Sequence, residues 1–114
     1  MMFENVIKDD ITIVSVNLKK ATLENTEKFR EYLGKVIDGG TKKIIIDLSA
    51  CDFVDSTFLG TLVICLKAID ITGAKLKLVC NEKVAFIICE ITRLSSVFKV
   101  HNHLEEAIEE FGKI

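Results

Sequence analysis

Asp55, Ser56 and Thr57 put one carboxylate and two hydroxyls on consecutive residues, with apolar runs on both sides. Side chains of these types can do two things at such a place. They accept hydrogen bonds from the unpaired N–H groups of a helix N-terminus, which is why Asp, Ser and Thr cap helices. A hydroxyl there also sits where anions are well tolerated. A phosphate on it adds about −1.5 to −2 of charge and three acceptor oxygens. Ser56 is therefore a candidate phosphoacceptor, with Thr57 as the alternative. Read as a Ser56 cap, the junction lacks the returning Glu or Gln of a capping box, because position 59 is Leu.

Other reactive groups point to less. Asp47 and Asp52 could join Asp55 around a cation, but Asp47 belongs to a strand, and such a trio serves turns equally well. His101 and His103 form His-Asn-His before the last helix. No Cys or acid is fixed beside them in sequence, so they read as surface or capping residues and not as metal ligands. There is no Gly-x-Ser-x-Gly elbow, no Gly-rich phosphate loop and no His-Glu-x-x-His. Nothing nominates a base for Ser56. The expectation is a non-enzymatic protein with no cofactor and no metal.

The elements around the junction follow from periodicity. Residues 43 to 69 hold an apolar run, Ile44-Ile45-Ile46, then the polar junction, then an apolar segment from Phe58 to Ile69. The first reads as a buried strand and the second is long enough for a helix. Leu59, Leu62, Val63, Leu66 and Ile69 make a core-facing stripe, and Phe58, Ile64 and Ile71 fall outside it. A helix apolar all round is buried on both sides or carries a binding surface. The expected docking surface is its N-terminal end, around Phe58 and Thr61.

Before this unit, residues 3 to 7 and 11 to 18 read as two strands of an antiparallel hairpin about Lys8-Asp9-Asp10. Residues 19 to 25 are a polar connection with Thr22 and Asn25 as capping candidates. A helix runs to about Asp38, with Phe29, Leu33, Val36 and Ile37 inward, and Gly39-Gly40 ends it. After the unit come Gly73, a strand over 75 to 80 and a helix over 82 to 94 with Val84, Ile87, Ile88 and Ile91 inward. A strand over 97 to 100 and a helix over 103 to 112 finish the chain. Strands alternating with helices after a hairpin predict an α/β domain spanning residues 1–114. It should have a mostly parallel, mixed sheet of four to five strands and about four helices.

Composition narrows the function. The 114 residues are 49% apolar and 28% charged, as expected of one globular domain. The net charge is −2 with both signs interspersed, so no nucleic-acid partner is expected. The apolar helix over about 57 to 71 is shorter than the roughly 20 residues of a membrane span and contains Lys67, so no membrane insertion is expected. No signal peptide is visible at the N-terminus. Cys51, Cys65, Cys80 and Cys89 have no metal or Cys-x-x-Cys spacing and lie in or beside apolar runs, which suits reduced core thiols in a cytoplasmic protein.

The stretch IIIDLSACDFVDSTFLGTLV resembles the signature of the anti-sigma-factor antagonist (STAS) domain family. Asp47-Leu48-Ser49, Phe53-Val54-Asp55-Ser56, Thr57, Leu59 and Gly60 match its pattern, and the order of elements matches over nearly the whole chain. Phe58 stands where the family usually has Gly. The family's Gly-x-Leu-Asp after the second strand corresponds to Lys19-Lys20-Ala21-Thr22, with Thr22 in place of the Asp that helps engage the kinase. The resemblance implies a STAS-like fold and a protein that binds a serine-kinase anti-sigma factor. It implies release on phosphorylation of Ser56 and resetting by a phosphatase. Asp55, Thr57, Phe58, Thr61 and Thr22 would form the partner-binding surface. The alternative within the family is a non-phosphorylated scaffold or a cytosolic transporter-associated regulatory subunit. A monomer or a weak homodimer is expected, the latter through the early helix or a free sheet edge.

Overall fold

A computed structural model describes residues 2–92 and 99–112. Strands β1 (Phe3–Lys8) and β2 (Ile11–Val16) form the expected antiparallel hairpin, turning through Asp9 at φ 58°. Helix α1 (Thr26–Asp38) carries the chain to β4 (Lys43–Asp47), which lies parallel to β2. Helix α2 (Ser56–Ile71) leads to β6 (Lys75–Val79), parallel to β4. Helix α3 (Glu82–Thr92) leads to β7 (Lys99–His101), parallel to β6. The main sheet has the order β1-β2-β4-β6-β7, a mixed five-stranded α/β arrangement, and α4 (Leu104–Gly112) closes the chain of elements.

Two further strands, β3 (Lys20–Ala21) and β5 (Phe53–Val54), pair in parallel as a separate two-stranded sheet. Each is two residues long, too short for an alternating pattern to show in the sequence. They flank the junction and prove central to it.

Why β4 is apolar throughout is clear from its neighbours. It is paired on both sides and covered on both faces, so Ile44, Ile45 and Ile46 are all buried. Ile44 and Ile46 face the large core with α1, α2 and α3 residues, including Phe29, Leu33, Leu62, Leu66, Val84 and Ile88. Ile45 faces a smaller core, where Ile11, Ile13 and Val79 pack against Ala107 and Phe111 of α4. The helices stop at residues that can take the left-handed conformation: Gly40 (φ 80°) follows α1 and Gly73 (φ 83°) follows α2.

Boundaries move by small amounts from the sequence reading. β2 ends at Val16, although Asn17 N still donates to Met2 O at 2.8 Å. β6 ends at Val79 and α4 begins at Leu104. Residues 93 and 94 of the expected third helix and 97 and 98 of the expected last strand lie outside the described residues, as does the Ile91 side chain. His101, expected in a loop, belongs to β7. Among the described residues, no helix is long and apolar enough to cross a membrane.

Candidate functional site

The junction is built around the Asp55 carboxylate. β5 lies against β3, and the main chain here is tied down by Asp52 N to Lys19 O (2.8 Å) and Asp55 N to Ala21 O (3.0 Å). Asp55 itself is extended (φ −82°, ψ 169°), so the chain turns into α2 immediately after it. Its Oδ1 accepts from Phe58 N at 2.8 Å, which is the bond of a helix N-cap. Its Oδ2 accepts from Leu23 N at 2.9 Å. One carboxylate therefore holds both the start of α2 and the short 3-10 turn Leu23–Asn25. Of the three capping candidates at the junction, Asp55 is the cap. The backbone bond from Leu59 N to Asp55 O (2.9 Å) opens the helix.

Ser56 is consequently the first helical residue. Its side chain and that of Thr57 are exposed, as is Gly60 one turn on, while Thr61 is half-buried. The N–H groups of Ser56 and Thr57 precede the first intrahelical bond, and the helix dipole points its positive end at them. The hydroxyl is thus accessible, on an ordered backbone, in a place that tolerates an anion.

Phe58 does not belong to the surface. It is fully buried, and its ring lies 4.9 Å from that of Phe29 at an interplanar angle of 40°. The expected docking role of its side chain is corrected: Phe58, Leu62, Cys65 and Ile69 repeat at helical spacing and form the inner face with Leu59 and Leu66. Phe29 in turn meets Phe3 at 5.5 Å, so an aromatic chain fills the space between α1, α2 and β1. The large apolar residues that α2 leaves outside are Ile64 (65% exposed) and Ile71 (84%). Beside Asp55, two other apolar side chains are exposed, Leu23 (63%) and Phe53 (47%). Phe53 lies in the signature stretch, but residue type and spacing mark neither side chain as exposed. Their signal is the pairing of two-residue strands, which becomes visible only in three dimensions.

The loop behind the junction is also fixed. Asp47 Oδ1 accepts from Ser49 N at 2.9 Å, a side-chain-closed turn. Asn81 Nδ2 donates to Cys51 O at 2.9 Å, while its Oδ1 accepts from Val84 N at 2.9 Å and caps α3. Asp47 Oδ1 and both Asp55 oxygens are thus engaged by backbone N–H groups, and no group of three metal-ligating side chains occurs among the described residues. Thr22 is half-buried, and its N–H donates to Asn25 Oδ1 at 2.9 Å. Asn25 precedes α1 but directs its side chain back to Thr22 and makes no cap bond into the helix.

His101 departs from its expected surface position. It is 8% exposed, and its Nε2 lies 3.7 Å from Glu110 Oε2, beyond hydrogen-bond range. Burial pushes its pKa down from 6.5. Glu110 instead pairs through Oε1 with Lys77 Nζ (3.1 Å) and Lys99 Nζ (3.0 Å), which hold its carboxyl down at about 2. Lys77 also stands over the Phe111 ring at 5.0 Å. His103 is exposed. All four cysteines are free thiols. Burial pushes Cys51 up to about 11 and Cys80 up to about 12, and it raises Cys65 as well.

The STAS domain model matches residues 2–107. A Thermotoga maritima protein described as a "putative anti-sigma factor antagonist" is 34% identical over 111 residues, covering 96% of each chain. A crystal structure of a Thermotoga maritima protein of that description, also 34% identical, superposes with a TM-score of 0.83 and covers 96% of this chain and 93% of that one. The Bacillus cell fate determinant SpoIIAA, in a structure of its phosphorylated form, superposes with a TM-score of 0.73 at 15% identity, covering 96% and 98%. That last likeness is one of fold.

Proposed function

The chain belongs to the STAS domain family, and from that premise we propose that it is an anti-sigma-factor antagonist switched by phosphorylation of Ser56. In this reading it binds a serine-kinase anti-sigma factor, loses that partner when Ser56 is phosphorylated, and is reset by a phosphatase in the cytoplasm. Its own part is binding and not catalysis. The observation that carries the reading is the exposed Ser56 hydroxyl on the first residue of α2, beside an Asp55 whose carboxylate is already engaged twice.

The physical account has two parts. Within the domain, a phosphate at the first helical residue gains about 0.3–1 kcal/mol from the helix dipole. The adjacent Asp55 charge opposes that gain, so the fold is little changed. At an interface, the same phosphate must be desolvated or matched by new cations. A tenfold loss of affinity needs only about 1.4 kcal/mol. The docking surface comprises Thr57, Gly60 and Thr61 of α2, flanked by Leu23 and Phe53, with Asp55 holding it in shape.

Incubation with the cognate kinase and ATP, followed by intact mass, tests this. Wild type should gain one phosphate and Ser56→Ala none. Equal labelling of both would assign the switch elsewhere, and label retained in Ser56→Ala but lost in Thr57→Ala would move it by one residue. Thr22 favours the second reading, a non-phosphorylated scaffold or transporter-associated subunit. It contributes no carboxylate beside Ser56, and its backbone N–H bonds inward to Asn25. Pull-down of a transporter or multi-domain sensor, with no kinase, would select that reading.

A further inference from the structure

We propose that β1 is a self-association edge, at which two copies pair their β1 strands antiparallel with Val6 on the two-fold axis. β1 is the outermost strand of the main sheet, and among the described residues nothing pairs with its far side. The β1–β2 register runs unbroken from Phe3 to Lys8, with no bulge and no proline. Val6 (60%) and Ile7 (73%) are exposed on it. Edges of this kind are ordinarily blunted, because their free N–H and C=O groups template another strand.

The ladder decides which groups are available. Asn17 N donates to Met2 O, and Asn17 and Met2 continue the same register. In an antiparallel pair the backbone groups of alternate residues point to opposite sides. Met2, Glu4, Val6 and Lys8 therefore direct theirs to β2, and Phe3, Asn5 and Ile7 direct theirs outward. A second β1 can bond only where odd residues meet odd ones. Three such registers centre on the middle of the strand. Centring on Asn5 sets Glu4 against Val6 of the second copy. Centring on Ile7 sets Glu4 against Asp10, like against like. Centring on Val6 sets Asn5 against Ile7 for backbone bonding, Val6 against Val6, and Glu4 against Lys8 twice over.

That register satisfies charge and apolar contact together, on one face of the sheet. Glu4, Val6 and Lys8 share the face of Ser15, Ile13 and Ile11, their partners in β2. The occupant is a second copy of this chain, because the strand is complementary to its own reverse. The residues paired across this edge are not residues of the junction, and β2 lies between β1 and β4, which leads into Ser56, so the pairing does not depend on the phosphorylation reading.

Sedimentation analysis of the full chain over roughly 10 μM to 1 mM, the range suited to a small transient interface, should show a concentration-dependent dimer. Glu4→Lys and Lys8→Glu should each weaken it about tenfold or more, since each creates two like-charge cross-strand pairs. The double variant Glu4→Lys/Lys8→Glu should restore it. Under mild oxidation Val6→Cys should form a covalent dimer, because non-hydrogen-bonded partners lie about 4.5 Å apart at Cα, within disulfide reach. Glu4→Cys, whose own counterpart is four residues away along the strand, should not. A monomer throughout the range would overturn the proposal. So would a dimer indifferent to the charge variants, or equal cross-linking at positions 4 and 6.

Discussion

Asp55→Ala removes a side chain that joins the 3-10 turn to α2, and its effect can be worked out bond by bond. The bond to Phe58 N is an N-cap, whose loss costs about 1 kcal/mol. The bond to Leu23 N has an ionised acceptor, a class worth about 1.5–3 kcal/mol, but its exposed setting places it at or below the low end because water replaces it. Together they give up to about 2.5 kcal/mol out of the roughly 5–15 kcal/mol typical of a domain. At about 4 °C per kcal/mol for a chain of this size, the midpoint should fall by up to about 10 °C. Asp55→Asn keeps the cap but puts an amide NH2 where Leu23 N needs an acceptor, so it should lose about half as much. Urea unfolding followed by far-UV circular dichroism measures both, with m unchanged if the fold is intact. Amide exchange at Leu23 and Phe58 gives the local readout, since both should lose protection in Asp55→Ala. If Asp55→Ala stays within about 0.5 kcal/mol of wild type, or Asn costs as much as Ala, the carboxylate does not join the two segments as described.

Phe58→Ala should destabilise by about 3–5 kcal/mol, since it empties a fully buried site against Phe29. A variant of normal stability that merely loses its partner would return Phe58 to the surface. Gly60→Ala and Gly34→Ala should each stabilise by up to about 1 kcal/mol in thermal melts, because a Cβ at either helical position meets nothing within 4 Å. Only Gly60→Ala should also weaken the anti-sigma partner, and equal binding effects from the two would remove Gly60 from the docking surface. Acid should destabilise in two stages. His101 is held below 6.5 in the fold, so the unfolded chain binds its proton first and stability falls as pH drops through 6.5. Glu110 is held at about 2, so its contribution is complete above 4.5 and is lost from there towards 2. Lys77, Lys99 and Glu106 also bear on His101, and a stability profile in which His101→Gln leaves the upper stage unchanged would refute the assignment. With a thiol reagent, the partly exposed Cys89 should react first under native conditions, and Cys51, Cys65 and Cys80 only on unfolding. Rapid native reaction of two or more thiols would contradict this.

Much of the scaffold was legible because its signals are local. Ile44-Ile45-Ile46, the paired glycines after α1 and the stripe of α1 each declare an element within a few residues. The face of α2 was not legible in the same way. Nearly every position is apolar, so periodicity does not choose between Phe58 and Ile64. The choice is made by Phe29, a partner in another helix. Which residue of the junction is the cap was open for a similar reason. Asp55 and Ser56 are equally good caps by type, and Asp55 prevails because its second oxygen reaches Leu23, 32 residues away. His101 looked like a loop residue because the cover over it, α4 with Glu110, follows it in sequence and meets it only after folding. The resemblance of the signature located Ser56. The exposed neighbours Leu23 and Phe53 come together through β3 and β5, whose length hides them.

The doubly engaged Asp55 and the buried ring three residues later bear on how an enzyme would take hold of Ser56. Fixing a residue's backbone costs about 1–2 kcal/mol, and here folding has already met that cost around the acceptor. A partner docking on the junction therefore loses little conformational entropy. It must accept Ser56 in helical geometry, though, and not as part of an extended strand. In the phosphorylation reading, recognition is of a shaped surface assembled from residues 20–25 and 52–61, and not of a linear motif. A free peptide of residues 50–62 should be a poor substrate even though it contains every residue of the signature around Ser56, and efficient labelling of that peptide would count against such recognition.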